Sequence, residues 1–135
     1  MTRREIREAI FKLLFSGEFH EDGDVKEQAE ILLEEEGVLE KASDKDKEYI
    51  FSKYEDIRVH LEEIDALLNE KVDKWKTTRM PKVDLAILRL AVYEIKYEED
   101  IPEGVSINEA VELAKLYGTD KSSSFVNGAL SKVVA

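Results

Sequence analysis

One stretch of the chain is apolar nearly all the way round a helix. It covers residues 83–97 and reads VDLAILRLAVYEIKY. Such a helix is buried on most sides, so other helices must surround it. Pro81 is well suited to the start of this helix, because proline is tolerated in the first turn. Asp84 and Arg89 interrupt the apolar surface, and each needs a partner or an exit to solvent, since an unpaired buried charge is costly.

The rest of the chain also has helical periodicity. Apolar residues recur at helical spacing in residues 3–17, from Asp24 to about residue 36, and from Ser43 or Asp44 to about residue 69, which we interpret as one long amphipathic helix. Only two prolines and six glycines occur, which favours helix over a turn-rich β architecture. We therefore predict an all-α fold of seven helices, arranged as two small bundles that share one core in a single domain covering residues 1–135.

The C-terminal third predicts two short helices joined by a glycine. Ser106 and Glu109 have the spacing of a capping box at the start of the first. Gly118 stands where a left-handed residue would end that helix. Thr119 or Asp120 can cap the helix that follows. This last helix has a predicted buried stripe at i, i+3, i+4 and i+7, formed by Val126, Ala129, Leu130 and Val133.

Phe125 lies outside that stripe, about 100° round the helix from Val126. Its own face carries small residues and lysines, namely Lys121, Ser122, Gly128 and Lys132. An aromatic ring in such surroundings can stack on an unpaired base of a nucleic acid. The pattern alone favours the simpler alternative of a phenylalanine at the margin of the core.

Charge is distributed unevenly. The net charge of −11 argues against nucleic-acid binding when the chain is taken whole. Residues 18–48 hold thirteen acidic and four basic side chains, however, whereas residues 1–12 hold four basic and two acidic ones. Arg3, Arg4 and Arg7 lie near the first turn of a helix, where cations oppose the helix dipole, and this invites a functional explanation. A solubilising terminus with i,i+4 ion pairs is the alternative.

Several classes of function lack support. The chain has no cysteine, which excludes disulfides, thiolate zinc sites and a cysteine nucleophile, and fits a reducing compartment. No apolar run approaches the roughly 20 residues of a membrane span, and no secretory signal is visible, so we expect a cytoplasmic protein. His20 and His60 have no ligand partner at metal spacing, and no catalytic triad, phosphate-binding glycine loop or HExxH motif occurs. We expect no enzyme activity, metal or cofactor.

Four segments carry a resemblance to a known family. They are RREIREAIFKLLF (3–15), VDLAILRLAVYE (83–94), IPEGVSINEAVELAKLYG (101–118) and SFVNGAL (124–130). On these motifs the chain resembles the NusB family of bacterial transcription antitermination factors over nearly its whole length. The resemblance implies an all-helical, non-enzymatic protein. It would bind the boxA element of nascent RNA together with NusE, a ribosomal small-subunit protein, and help the transcription elongation complex pass terminators.

The resemblance also implies site residues. The basic N-terminus of the family contacts RNA, the aromatic of its FVNG motif stacks near RNA, and the loop before that motif belongs to the same surface. These positions correspond here to Arg3, Arg4, Arg7, Lys121, Ser122 and Phe125. The surface that faces NusE corresponds to Phe15 and Asp84.

Two other functions stay open at this point. One is a protein-interaction module that docks NusE with little RNA affinity of its own; the other is an enzyme of unknown type, which would need a pocket with convergent titratable groups. The sequence also leaves the oligomeric state open, including a homodimer that hides the arginine face.

Overall fold

The computed structural model describes residues 1–18, 25–35 and 37–135. Within these ranges all regular structure is helical, which confirms the predicted all-α class. Two short 3₁₀ turns, Val38–Lys41 and Thr77–Arg79, accompany seven α-helices. The helices are α1 (Arg3–Gly17), α2 (Val25–Glu35), α3 (Asp44–Val59), α4 (Leu61–Lys71), α5 (Lys82–Tyr97), α6 (Glu103–Tyr117) and α7 (Ser122–Val134). The predicted cap Asp24 and the lone His20 lie outside the described residues.

The chain divides into two compact units, Met1–Arg58 and Val59–Ala135. The first contains α1 to α3 and the second contains α4 to α7. The two predicted bundles, the single domain and its one shared core stay predictions. No helix in the described part of the chain combines the length and apolar character that crossing a bilayer requires.

The long helix predicted over residues 43–69 is wrong, because the structure breaks it at His60. α3 ends at Val59 and α4 begins at Leu61. His60 has φ −98° and ψ 7°, a modest departure from helical values, so the apolar period continues across the break and conceals it. Its ring instead packs against Tyr97 of α5, with 4.3 Å between centroids.

The predicted central helix is confirmed. In α5 every residue from Asp84 to Leu88 and from Leu90 to Glu94 is buried. The two charged interruptions have partners, as expected. Arg89 donates from Nε and from a terminal nitrogen to the two carboxylate oxygens of Asp65 on α4, at 2.9 and 2.7 Å. Asp84 accepts a hydrogen bond from α7, described below.

The predicted capping box of Ser106 and Glu109 is wrong. α6 begins three residues earlier, at Glu103, directly after Pro102. Ser106 is therefore inside the helix, and its amide already donates to the carbonyl of Pro102 at 3.2 Å. Its hydroxyl instead has a tertiary role and donates to the buried carboxylate of Glu94 on α5 at 3.0 Å.

Gly118 ends α6 as predicted, but not by a left-handed conformation. Its φ is −91°, which any residue adopts. The requirement for glycine is steric, because an added Cβ would lie 2.4 Å from Oγ of Ser122 and 2.8 Å from the carbonyl oxygen of Ala114. The predicted caps of α7 are also incorrect, since Lys121 precedes the helix without a side-chain cap. Thr119 Oγ1 instead accepts from the Lys121 amide, at 3.3 Å, in the turn before the helix.

We expect Gly118→Ala to lower the free energy of unfolding by about 1–3 kcal/mol, because the new methyl group forces the start of α7 away from α6. Urea denaturation measures the change. Gly104→Ala is the matched control within α6, where an added Cβ meets nothing within 4 Å. That control should be neutral or up to about 1 kcal/mol more stable. Equal stability of both variants would contradict the steric explanation.

Candidate nucleic-acid interface

The N-terminal arginines follow a helix cap that the sequence interpretation missed. Thr2 Oγ1 accepts from the Glu5 amide at 3.1 Å, and the Glu5 carboxylate accepts from the Thr2 amide at 2.9 Å. This is a capping box, and its T-x-x-E spacing was visible in the sequence. The Thr2 amide also lowers the pKa of the Glu5 carboxyl. A carboxylate at the positive pole of α1 thus offsets part of the unfavourable placement of Arg3 and Arg4.

A second contact fixes the same end of the chain. The N-terminal ammonium of Met1 forms an ion pair with Asp46 of α3 at 3.2 Å. Asp46 also accepts from the Ser43 amide at 3.1 Å, and these donors lower the pKa of its carboxyl. Arg3 and Arg4 are exposed, and Arg7 is partly exposed. The first unit therefore presents cationic side chains from an anchored helix start.

Phe125 is partly exposed on α7, as expected from its position beside the buried stripe, whose four predicted members are all buried. Its ring contacts Trp75, from the segment between α4 and α5, with 5.0 Å between centroids and 56° between planes. Trp75 is also partly exposed. No local sequence pattern pairs Trp75 with Phe125, because the two residues are 50 positions apart.

Ser122 and Lys121 differ in their surroundings. Lys121 is exposed, whereas Ser122 is only 3 % exposed. The Ser122 hydroxyl donates to Asp84 Oδ1 at 2.8 Å and accepts from the Thr119 amide at 3.0 Å. Two residues predicted to contact different partners, Ser122 with RNA and Asp84 with NusE, are thus bonded to each other. Direct contact of either residue with a partner stays a prediction.

Asp84 is a buried carboxyl in the first turn of α5, also 3 % exposed. Burial raises the pKa of this carboxyl, and the hydrogen bond from Ser122 lowers it in part. The bond joins the start of α5 to the start of α7, so it sets where Lys121 and Phe125 lie relative to the core of the second unit.

Phe15, the other residue predicted to face NusE, belongs to the first unit. It is partly exposed near the end of α1, and its ring stacks on that of Phe11 with 6.3 Å between centroids. The predicted residues therefore divide into two sets. Arg3, Arg4, Arg7 and Phe15 lie on α1, while Asp84, Lys121, Ser122 and Phe125 lie in the second unit.

A cavity of about 440 Å³ in the first unit contains none of these residues. It is lined by Glu30, Glu34, Lys47, Glu48, Phe51, Ser52 and Glu55. Four carboxylates against one ammonium repel phosphate, so this cavity is a poor site for RNA. Among the residues that the structure describes, no group of histidine or carboxylate side chains has an arrangement that could hold a metal ion.

We expect Ser122→Ala to lower the free energy of unfolding by about 1–3 kcal/mol at neutral pH, because a buried carboxylate loses a hydrogen-bond donor. The folded-state pKa of Asp84 would rise further. A carboxyl whose pKa is higher in the folded state than in the unfolded state destabilises the fold once it is ionised. The loss of stability should therefore be greater at pH 7 than near pH 4, where the carboxyl is partly protonated. Urea denaturation at both pH values measures it. Ser124→Ala, an exposed neighbour, is the control, and a loss independent of pH would contradict this role.

Comparison with known proteins places the chain in a family. The NusB family profile matches residues 4–135. A transcription antitermination protein NusB of Agathobacter rectalis is 57 % identical over 132 residues, covering 98 % of both chains. A second, of Lachnoclostridium phytofermentans, is 47 % identical and covers 99 % of both.

Solved structures that resemble this fold also come from NusB proteins. A NusB structure from T. maritima has a TM-score of 0.85 and 40 % identity, covering 98 % of this chain and 90 % of the other. A structure of the antitermination factors NusB and NusE in complex with double-stranded RNA has a TM-score of 0.82 and 25 % identity, covering 97 % of this chain and 94 % of its counterpart. By sequence and by fold, the chain belongs to the NusB family.

Proposed function

We propose that this protein is a cytoplasmic, non-enzymatic transcription antitermination factor. It binds boxA-type single-stranded RNA together with NusE and acts on the transcription elongation complex. Membership of the NusB family supports this role, as does the structural similarity to a NusB that is in complex with NusE and double-stranded RNA. Both units contribute to one RNA-binding domain.

The observation that carries the proposal is the partly exposed Phe125 ring beside an exposed Lys121. Sequence-selective recognition of RNA depends on unpaired bases that stack on aromatic side chains. Phe125 offers a stacking face, and Lys121, the residue that precedes α7 and lies one turn before Phe125, offers charge for the adjoining phosphate. Ser122 contributes by holding this turn in place through Asp84, with its hydroxyl available to RNA only if that bond rearranges.

The arginines supply the part of the affinity that does not depend on sequence. Arg3, Arg4 and Arg7 contact RNA phosphates, and the counterions that those phosphates release make binding depend on salt. Their place at the anchored start of α1 limits the entropy lost on binding.

NusE contacts Phe15 of the first unit and the start of α5 in the second. Phe15 supplies an aromatic anchor of the kind that dominates protein interfaces. The Asp84 carboxylate accepts a hydrogen bond from Ser122, so Asp84 contributes by positioning the first turn of α5 and not by direct contact with NusE. The acidic residues of the first unit suit a basic ribosomal protein, which they would attract over longer distances.

Replacing Phe125 with Ala should weaken RNA binding by about 1–3 kcal/mol if a base stacks there. Replacing Arg3 and Arg4 with Gln should reduce the slope of log K against log salt by about 0.7 for each RNA phosphate that the protein no longer neutralises. Fluorescence anisotropy with labelled boxA RNA, at several salt concentrations and with NusE present, measures both. Lys45→Gln, an exposed cation of α3, is the charge control. A folded Phe125→Ala protein with unchanged affinity would remove Phe125 from the site.

A second candidate function is a module that docks NusE and has little RNA affinity of its own; the strongly acidic segment 18–48 favours it. Titration of boxA RNA with and without NusE separates the two. RNA binding that is insensitive to salt, or absent in both titrations, would favour the docking module.

Phe15→Ala should weaken NusE binding by more than about 1 kcal/mol, because an aromatic anchor is lost. Calorimetric titration with NusE measures the change. Phe51→Ala is the matched control, a partly exposed phenylalanine of the same unit that lines the acidic cavity. A larger effect of Phe51→Ala would move the NusE surface from α1 to that cavity.

A further inference from the structure

We propose that Trp75 and Phe125 together form a seat for two consecutive unpaired bases, with Trp75 as a second stacking position. This inference rests on the proposed RNA binding and deepens it. The two rings contact each other at 5.0 Å between centroids, and both remain partly exposed. Their planes are tilted by 56°, so one continuous stack of bases cannot lie flat on both rings. Each ring therefore takes its own base, and the two bases must separate from one another.

The segment that carries Trp75 is held against α7. Asp73 forms an ion pair with Lys132 of α7, with 3.0 Å between the carboxylate oxygen and Nζ. On the other side, the Thr77 amide donates to Asn69 Oδ1 of α4 at 2.8 Å. The hydrogen bond to Asn69, the contact with Phe125 and, more weakly, the exposed ion pair restrain the Trp75 segment before any ligand arrives. A ring that is already positioned loses little entropy when a base stacks on it.

Cations flank the pair. Lys74 Nζ lies over the Trp75 ring, 5.1 Å from its centroid, so a base that takes that face must displace this exposed ammonium. Lys121 is one helical turn before Phe125. Both lysines are exposed, and each is close in sequence to a different ring of the pair. Two consecutive nucleotides carry negatively charged phosphates on both sides of the bases. Lys74 and Lys121 supply positive charge for these phosphates.

Gly128 adds an observation that folding does not explain. It lies in the interior of α7, one turn after Phe125, and is exposed. An added Cβ there would meet nothing within 4 Å, so neither packing nor backbone conformation requires glycine. Glycine in a helix interior is unfavourable relative to alanine. A close approach of RNA to the α7 backbone beside Phe125 explains why position 128 is a glycine.

The chain has a single tryptophan, so its emission reports on position 75 alone. The experiment titrates the protein with a fluorescein-labelled single-stranded boxA-type RNA, bound together with NusE. Anisotropy follows binding, and tryptophan emission, corrected for NusE, follows stacking at Trp75. We expect emission to be quenched in step with the rise in anisotropy. Duplex RNA of the same sequence should quench it less, because its bases stay stacked on one another.

Substitutions at three positions, with one control at a fourth, sharpen the test. Gly128→Ala should be as stable as the parent or more stable, yet bind RNA at least about 5-fold more weakly, which loss of folding cannot explain. Trp75→Leu should lose about 5- to 150-fold in affinity, the range for one stacked base, whereas Trp75→Phe should retain most of it. Lys74→Gln should reduce the salt slope by about 0.7, while the exposed Lys96→Gln control leaves it unchanged.

The outcomes separate the inference from the proposed function. No anisotropy change with any RNA would overturn the proposed function. Normal RNA binding without quenching at Trp75, with Gly128→Ala binding like the parent, would overturn the two-base seat and leave the proposed function standing. Trp75 would then serve only to anchor its segment against α7.

Discussion

The second unit depends on the burial of α5. A helix enclosed on nearly every side has no route to water for its polar side chains, so each must be satisfied by another helix. Three charged side chains within its buried length are satisfied by three different helices. Asp84 accepts from Ser122 of α7, Arg89 binds Asp65 of α4, and Glu94 accepts from Ser106 of α6. Hydrophobic contact has no direction, whereas these bonds have a fixed geometry and so specify how each neighbour lies against α5.

These three links differ in physical character. The Arg89 and Asp65 pair is bidentate and only partly buried, so removing one partner would leave a partly desolvated charge without its two hydrogen bonds. Burial raises the pKa of the Asp65 carboxyl to about 6, a measure of the desolvation that the guanidinium must offset. The other two links join a hydroxyl to a carboxylate, which suits positioning more than raw stability. In the described part of the chain, no buried side-chain nitrogen or oxygen is left without a partner.

The candidate site is built outward from that arrangement. Asp84 holds Ser122, Gly118 leaves room for Ser122 to approach, and α7 then presents Phe125 to the ring of Trp75. The position of this pair of aromatic rings is therefore a consequence of how the polar groups of α5 are satisfied. In the first unit, the arginines extend from a helix start that is held by a capping box and by the Met1 ammonium.

The sequence by itself determined the helical class, the buried character of α5 and the buried stripe of α7, because apolar periodicity depends only on which residues recur along one chain. It also contained the family motifs and the T-x-x-E cap of α1. It could not reveal the break at His60, because the apolar period continues across this one residue although its φ and ψ are not helical. The capping box at Ser106 was a wrong prediction, because the spacing of Ser106 and Glu109 also occurs inside a helix. There the Ser106 hydroxyl donates to Glu94 of another helix.

Tertiary structure alone decided the pairings on which the candidate site rests. Asp84 and Ser122 are 38 positions apart, and Trp75 and Phe125 are 50 apart, so no local pattern joins them. The same holds for the reason that Gly118 is a glycine, which is the space needed by Ser122 and not its own backbone angle. Periodicity selects which face of a helix is buried. Only the packed structure selects which side chain on another helix will meet it, because that choice depends on the position of every helix at once.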